Sequence, residues 1–229
     1  MKLFVVVEAG DDHVSLVDGE RFETLHRFRS REALRGAPRL SPDGRLARRP
    51  DPLARRGGAR RRAAAQLHRR AARYRRAVGD LAFDWNGTRV LALPNPGRAA
   101  IEVIDLRTWQ PVKTIATAGP ASFVRSHDAS RYAWTDATIG ANTDATLTLI
   151  DKQTLQPVAR LRQPGHSPVH AEFTQDGRHA LARVRGPQGA LIVHDATTCR
   201  QVKRLPMRGP AASYNVGNQL ERPDPGHRP

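Results

Sequence analysis

The chain has 229 residues, a length that suits one domain or two. The single cysteine, Cys199, excludes a disulfide framework and a cysteine-based metal cluster, and the absence of a CxxCH motif excludes a covalently attached c-type heme. The formal net charge of +16, taken over the whole chain, points to an anionic partner such as nucleic acid.

The N-terminal segment "MKLFVVVEAGDDHVSLVDG" is the first predicted element. Its apolar run is too short for the core of a signal peptide, so it predicts a β-strand and a chain that starts inside a fold without an export signal. No segment of the sequence approaches the length needed to span a membrane, so we expect no transmembrane segment.

The positive charge is concentrated in one stretch. Residues 45–76 contain 13 arginines and one acid, Asp51, and therefore carry +12 of the total charge. The remaining 197 residues carry only +4 and have the composition of an ordinary, mildly basic domain. The global charge is therefore a poor guide to the partner of the folded part, and nucleic acid is not the partner we expect.

A repeat of strand, Asp, turn and strand is visible along the chain. Residues 101–115, 147–161 and 191–205 align around Asp105, Asp151 and Asp195, at spacings of 46 and 44 residues. Residues 13–28 form a looser copy around Asp18. In each copy an apolar strand ends at the Asp and a second, alternating strand follows a short polar turn.

A second marker alternates with the first. Turn residues Gly44, Gly87, Ser130 and Gly177 recur at intervals of 43, 43 and 47 residues, each before a short strand. Asp-Gly and Asn-Gly pairs supply the positive φ that tight hairpins need. A period of 43–47 residues with about four short strands is typical of a β-propeller blade. We therefore predict an all-β, partial β-propeller of about four blades; a β-sandwich of unrelated strands is the alternative.

The arginine-rich stretch falls where another strand–Asp–turn–strand unit is due, near residue 60. Strand-forming residues are scarce in it, whereas Ala and Arg favour helix. We predict an irregular or helical segment that interrupts the propeller, with boundaries at 1–45, 46–80 and 81–218 and a disordered tail at 219–229. Three interpretations of the segment stay open: an arm that binds RNA or DNA, a contact with an anionic membrane, or an out-of-frame stretch of a GC-rich gene, which we favour.

Three further motifs carry a resemblance to a known family. "RSHDASRYAWTD", "HAEFTQDGR" and "YNVGN", in that order, together with the opening "LFVVVEAGDDHVSLVDGERF…SPDGR", resemble the heme d1-binding propeller of cytochrome cd1 nitrite reductases and dihydro-heme d1 dehydrogenases. The matching parts cover residues 2–45 and about 81–218. Because the family's propeller has eight blades, the resemblance implies a truncated or rearranged domain here.

The resemblance implies heme d1 as the cofactor and redox chemistry as the activity, either nitrite reduction to nitric oxide or oxidation of a dihydro-heme d1 precursor. It also implies a c-type cytochrome as electron partner, a homodimer and a periplasmic location; without an export signal, the chain as written is expected in the cytoplasm. The alternative class is a non-enzymatic propeller module that binds a tetrapyrrole or a protein.

In the family an axial histidine precedes the first S-x-D-G-R turn, but "ALRGAP" places Arg35 there, and a guanidinium offers iron no lone pair. We therefore predict no metal ligand, and Arg35 as a partner for a heme carboxylate.

Five other residues are candidates for the cofactor site, because heme d1 needs cations for its carboxylates and flat apolar contacts for its faces. His170 and His127 are predicted near the cofactor as proton-transfer groups, with a hydrogen-bonded core histidine and a solvated loop histidine as the alternatives. Arg125 is predicted on the same strand face as His127, to pair a carboxylate, or else at the surface. Phe123 and Tyr214 are candidates for lining the pocket, although Phe123, like Trp134 and Tyr132, is also expected as core.

Overall fold

The computed structural model describes residues 2–30, 39–40, 47–48, 81–137, 146–162, 167–186 and 188–216. These residues form antiparallel sheets joined by short turns, which confirms the predicted all-β class. Four of the sheets have four strands each, in agreement with the four predicted blades of a β-propeller.

In three of the four-stranded sheets the strands follow one another in the chain as a meander. Sheet 1 has the order β18-β1-β2-β3 and comprises β1 (Leu3–Glu8), β2 (His13–Asp18), β3 (Glu23–Arg29) and β18 (Pro210–Asn215). A two-stranded ribbon follows, with β4 (Arg39–Leu40) and β5 (Ala47–Arg48). Sheet 2 comprises β6 (Leu81–Trp85), β7 (Thr88–Asn95), β8 (Ala100–Asp105) and β9 (Pro111–Ala116). Sheet 3 comprises β10 (Val124–Arg125), β11 (Tyr132–Thr135), β12 (Thr146–Asp151) and β13 (Gln156–Arg162). Sheet 4 comprises β14 (Ser167–Phe173), β15 (His179–Arg185), β16 (Ala190–Asp195) and β17 (Gln201–Pro206).

The last strand of the chain completes the first sheet. β18 pairs antiparallel with β1, from Phe4 opposite Asn215 to Val7 opposite Ala212. Glu8, at the end of β1, is 1% exposed and accepts hydrogen bonds from the hydroxyl of Ser15, the guanidinium of Arg27 and the backbone N–H of Arg208. Burial raises the pKa of Glu8, but these bonds outweigh it, so its pKa lies below the ordinary value. The N- and C-terminal parts of the chain are thus held in one sheet.

The hydrophobic core lies between successive sheets. Because residues of a strand alternate between its two faces, each central strand contributes to two interfaces. One apolar cluster joins sheets 2 and 3, a second joins sheets 3 and 4, and a third joins sheets 4 and 1. Trp134, 1% exposed, belongs to the second cluster, which confirms its predicted place in the core.

The repeated Asp caps the same turn in all four sheets. Its carboxylate accepts backbone N–H bonds from the second and third residues that follow, at 2.6–3.2 Å. The fourth residue has a positive φ and donates its own N–H to the carbonyl of the Asp. The four Asp residues and the fourth residues of their turns are Asp18 and Phe22, Asp105 and Trp109, Asp151 and Leu155, and Asp195 and Cys199. The predicted repeat is therefore a repeat of turn geometry.

The second predicted marker also corresponds to turns. Asn86 and Gly87 have φ values of 48° and 75° and join β6 to β7, as expected for an Asn-Gly hairpin. Gly177 has a φ of 70°, and a Cβ there would clash with the ring of His127. Gly177 is therefore required both for its backbone conformation and for the close approach of sheet 3 to sheet 4.

Replacing Asp151 with alanine should lower the free energy of unfolding by about 2 kcal/mol. The Asp151 side chain is 3% exposed, pairs with Arg131 at 2.6 Å and accepts the N–H groups of Gln153 and Thr154. Urea denaturation would measure the loss. The matched control is Asp84→Ala, because the Asp84 side chain is 73% exposed and binds only the side chain of Arg89 among the contacts described; its effect should stay within about 0.5 kcal/mol. Equal losses for the two variants would contradict the capping role.

Parts of the predicted organisation lie outside the described residues. These include the tail after residue 216 and, apart from Ala47–Arg48 in β5, all of the segment 46–80. The domain boundaries and the three interpretations of the arginine-rich stretch stay predictions. Across the described ranges, no helix has the length and hydropathy to span a membrane.

Candidate functional site

The innermost strands of sheets 3, 4 and 1 come together. β14 lies against both β10 and β18, whereas β3, at the far edge of sheet 1, is exposed along its length. The strands near this meeting point carry several polar and aromatic side chains: Arg125 on β10, His170 and Glu172 on β14, Arg183 on β15, and Tyr214 on β18. Phe123 precedes β10 directly. This group is referred to below as the inner cluster.

His170 occupies a β-bulge. Val169 pairs with Arg183 and Ala171 pairs with Ala182, so His170 is the extra residue in the ladder between β14 and β15. Its φ is 47°, and in the described part of the chain it is the non-glycine residue of positive φ that lies within a strand. A left-handed non-glycine residue costs about 1–2 kcal/mol, and such strain is concentrated at functional sites. The bulge turns the imidazole out of the regular alternation of the strand.

The imidazole of His170 is nearly enclosed and lies in a positive environment. Its side chain is 10% exposed, and its ring meets that of Phe123 edge to face, with centroids 4.0 Å apart. Burial, followed by the charges of Arg183, Arg125 and Arg185, lowers the pKa of His170 to about 2. Glu172 Oε2 lies 4.0 Å from His170 Nε2. At neutral pH the imidazole is therefore uncharged.

Three buried nitrogens of the inner cluster have no hydrogen-bond partner among the described residues: Nε of Arg125, Nε of Arg183 and Nδ1 of His170. Arg183 is 5% exposed, and its Nη1 donates to the carbonyl oxygen of Ala211 on β18. Burial, followed by the charge of Arg185, lowers the pKa of Arg183 to about 10, so it is still a cation at neutral pH. Buried donors are normally paired. The cluster therefore has the donor set that binds carboxylates of a ligand.

Phe123 forms one wall of the cluster. The guanidinium carbon of Arg125 lies 5.9 Å from the centre of the Phe123 ring, within the range of a cation–π contact. The backbone of Phe123 is held on both sides, because its N–H donates to Asp136 Oδ1 and its carbonyl accepts from the Thr135 hydroxyl. Phe123 is half-buried and faces His170.

Tyr214 and Asn215, both in the "YNVGN" motif, end β18. Burial raises the pKa of Tyr214, so its phenol is protonated at neutral pH, and the charges of Arg183 and Glu172 act on it from the neighbouring sheet. Asn215 is fully buried, and its side-chain amide donates to the carbonyl of Phe173 at 2.9 Å. Tyr214 thus lies beside the inner cluster, and Asn215 ties β18 to β14.

The structure places His127 in a turn. β10 ends at Arg125, so the strand alternation predicted to put Arg125 and His127 on one face does not extend to His127. Both ring nitrogens of His127 are used: Nδ1 accepts the N–H of Ala129, and Nε2 lies 3.0 Å from the carbonyl oxygen of Gln175. These bonds select the tautomer with the proton on Nε2 and link sheet 3 to sheet 4. A role for His127 in cofactor binding or catalysis stays a prediction.

Arg35 lies outside the described residues, so its predicted carboxylate contact stays a prediction. The described ranges contain no group of three His, Cys, Asp or Glu side chains placed to hold a metal ion.

The sequence reasoning missed three residues that shape the site: Asp136, Arg183 and Asn215. Asp136 and Asn215 belong to motifs that the resemblance singled out, "RYAWTD" and "YNVGN". The signal for Arg183 is an arginine flanked by apolar residues in "ALARV", where a buried strand would otherwise carry an aliphatic residue.

Comparison with known proteins identifies the family. The family model for the cytochrome D1 heme domain matches residues 1–49 and 65–219. A curated dihydro-heme d1 dehydrogenase from Pseudomonas aeruginosa is 52% identical over 136 residues, which is 59% of this chain but only 27% of that protein. The chain therefore spans about a quarter of the length of that relative.

The solved structure of the dihydro-heme d1 dehydrogenase NirN in complex with DHE aligns over 96% of this chain and 76% of its own, with a TM-score of 0.78 and 30% sequence identity. The hydrazine synthase of Kuenenia stuttgartiensis aligns over 89% of this chain and 48% of its own, with 14% identity and a TM-score of 0.47. The four-sheet propeller architecture, the family match and the similarity to NirN agree. The chain belongs to the cytochrome D1 heme domain family.

Proposed function

We propose that this chain binds a heme d1-type tetrapyrrole at the inner cluster and serves in the oxidation of its dihydro form. The observation that carries the proposal is the set of buried nitrogens without a partner among the described residues, namely the Nε donors of Arg125 and Arg183 and Nδ1 of His170. Heme d1 carries several carboxylates, and charge-assisted hydrogen bonds from arginine are the strongest that a protein offers to them. Phe123 adds an aromatic surface beside these donors.

The charge state of His170 favours dehydrogenation over nitrite reduction. A reaction that delivers a proton to nitrite needs a protonated acid, whereas the low pKa of His170 leaves it without one at neutral pH. The ligand carboxylates would offset the charges of Arg125 and Arg183 that lower this pKa, and the uncharged imidazole could then accept a proton that leaves the ligand. The curated relative and NirN, both dihydro-heme d1 dehydrogenases, support the same choice.

The bound macrocycle would supply the redox chemistry, with two electrons passing to an acceptor of the c-type cytochrome class and two protons released. The residues of the chain have simpler tasks. Arg125 and Arg183 orient the ligand through its carboxylates, Phe123 limits access of water to His170, and His170 holds one released proton. Glu172 lies close enough to His170 to stabilise the imidazolium that results.

Titration of the full chain with heme d1, followed by its visible spectrum, tests the proposal. We expect shifted bands that saturate at one macrocycle per chain, and a much weaker response to the fully esterified macrocycle, which has no carboxylates. The dihydro form with an oxidised c-type cytochrome should then give the oxidised spectrum and reduced cytochrome. Unshifted bands at saturating ligand would refute binding, whereas binding without conversion would support the non-enzymatic module.

A further inference from the structure

The inner cluster depends on the buried carboxylate of Asp136. Asp136 follows β11 directly and is 2% exposed. Its Oδ1 accepts two backbone N–H bonds, from Ser122 at 2.8 Å and from Phe123 at 3.1 Å. Two bonds to one carboxylate oxygen fix the direction in which the chain enters β10.

The segment held by Asp136 carries the wall of the site. Thr135, the last residue of β11, donates its hydroxyl to the Phe123 carbonyl at 2.8 Å. The backbone of Phe123 is therefore held at its carbonyl by Thr135 and at its N–H by Asp136. The Phe123 ring meets the His170 ring at 90°, with 4.0 Å between the ring centroids. A shift of the Phe123 backbone by about one ångström would therefore change the ring contact that excludes water from the imidazole.

Asp136 also acts on the charge of the cluster. Burial and Arg185 lower the pKa of Arg183, whereas Tyr214, Glu172 and then Asp136 raise it, so the Asp136 carboxylate contributes to balancing this cation. The groups that face His170 are positive on β10 and β15 and negative at Glu172. The charge of Asp136 acts on Arg183. The same carboxylate thus holds a wall of the site and balances one of its cations.

We infer that Asp136 is the positioning residue of the tetrapyrrole site, acting through Phe123 on His170 and through its charge on Arg183. The inference rests on the proposed function for its ligand. It gives a role to Asp136 as the last residue of the motif "RYAWTD".

Asp136→Asn and Asp136→Ala separate the two effects. Asparagine keeps an acceptor oxygen for both N–H groups and removes only the charge, whereas alanine removes both. The first readout is the NMR spectrum of the His170 ring in the unliganded protein, assigned with a His170→Gln variant. The Phe123 ring current should displace these signals in wild type and in Asp136→Asn. This displacement of the His170 signals should be largely lost in Asp136→Ala and in the reference variant Phe123→Leu.

The second readout is affinity for heme d1, measured from the visible spectrum. Asp136→Ala should bind about tenfold more weakly than wild type, as expected for the loss of bonds to a charged group. Asp136→Asn should lie between the two. Thr135→Val serves as a second test if Asp136→Ala does not fold, because it removes only the anchor at the Phe123 carbonyl and should displace the His170 signals in the same direction.

Unchanged His170 signals in folded Asp136→Ala, or in Thr135→Val if the former does not fold, would overturn the inference. A failure of the proposed function would give a different result. Wild type itself would then not bind heme d1, while the His170 signals would still differ between wild type and Asp136→Ala.

Discussion

Replacing Arg183 with methionine should weaken the binding of heme d1 by about 10- to 100-fold, the loss expected for a buried hydrogen bond to a charged group. The Arg183 side chain is almost fully buried, one of its nitrogens has no described partner, and its charge lies next to His170. Methionine keeps much of the apolar stem, so the substitution removes mainly the charge and the donors. Titration followed by visible spectroscopy gives the affinity.

Arg178→Met is the matched control. It removes an arginine from the turn that precedes β15, but the Arg178 side chain is 81% exposed, so the affinity of this variant for heme d1 should equal that of wild type. Because Arg183 also donates to the carbonyl of Ala211, thermal unfolding must confirm that the variant is folded. A folded Arg183→Met protein with wild-type affinity would exclude Arg183 from the ligand site.

His170 should stay uncharged in the unliganded protein as the pH falls from 8 to about 4, far below the ordinary titration range of histidine. Burial and the three arginines lower its pKa to about 2. NMR of the His170 ring across this range measures the charge state directly. In Arg183→Met the pKa should rise, because one of the charges that lower it is gone. Titration of His170 near pH 6.5 in wild type would contradict this environment.

The same shift makes the fold sensitive to acid. Between pH 6.5 and 4 the unfolded chain binds a proton at residue 170 that the folded chain does not, so the free energy of unfolding falls as the pH falls. One such proton accounts for about 1.4 kcal/mol per pH unit. His194, whose pKa burial lowers to about 4, adds to the slope. Replacing His170 with glutamine should reduce the slope by one proton, and an unchanged slope would show that His170 titrates normally.

Much of the fold could be predicted because the repeat is local. Each Asp of the marker makes its turn with residues two to four positions later, so the geometry is encoded in five consecutive residues. The same is true of Asn86 and Gly87 in their hairpin. Apolar alternation then predicts which strands are buried, and the period predicts how many sheets there are.

The inner cluster could be predicted only in part. His170, Arg125, Phe123 and Tyr214 stood out through their motifs, and the structure brings them together around β14. Alternation, which predicted Arg125 and His127 on one strand face, does not apply to His127, because β10 ends at Arg125 and the chain then enters a turn. Arg183 carried no local signal beyond a polar residue in an apolar setting, and Asp136 none beyond its place in the motif "RYAWTD".

The sequence by itself determined the all-β class and the four sheets of the described residues, since both depend on short-range patterns that recur along the chain. The family followed from the resemblance of particular motifs. The tertiary structure decided which polar groups meet at the inner cluster. Arg183 reaches Ala211 across 28 residues, and Asn215 reaches Phe173 across 42. Such contacts depend on how sheet 4 packs against sheet 1. The orientation of His170 depends on a bulge that adds one residue to the ladder. A shift of one residue reverses the face of a strand, and alternation alone does not encode it.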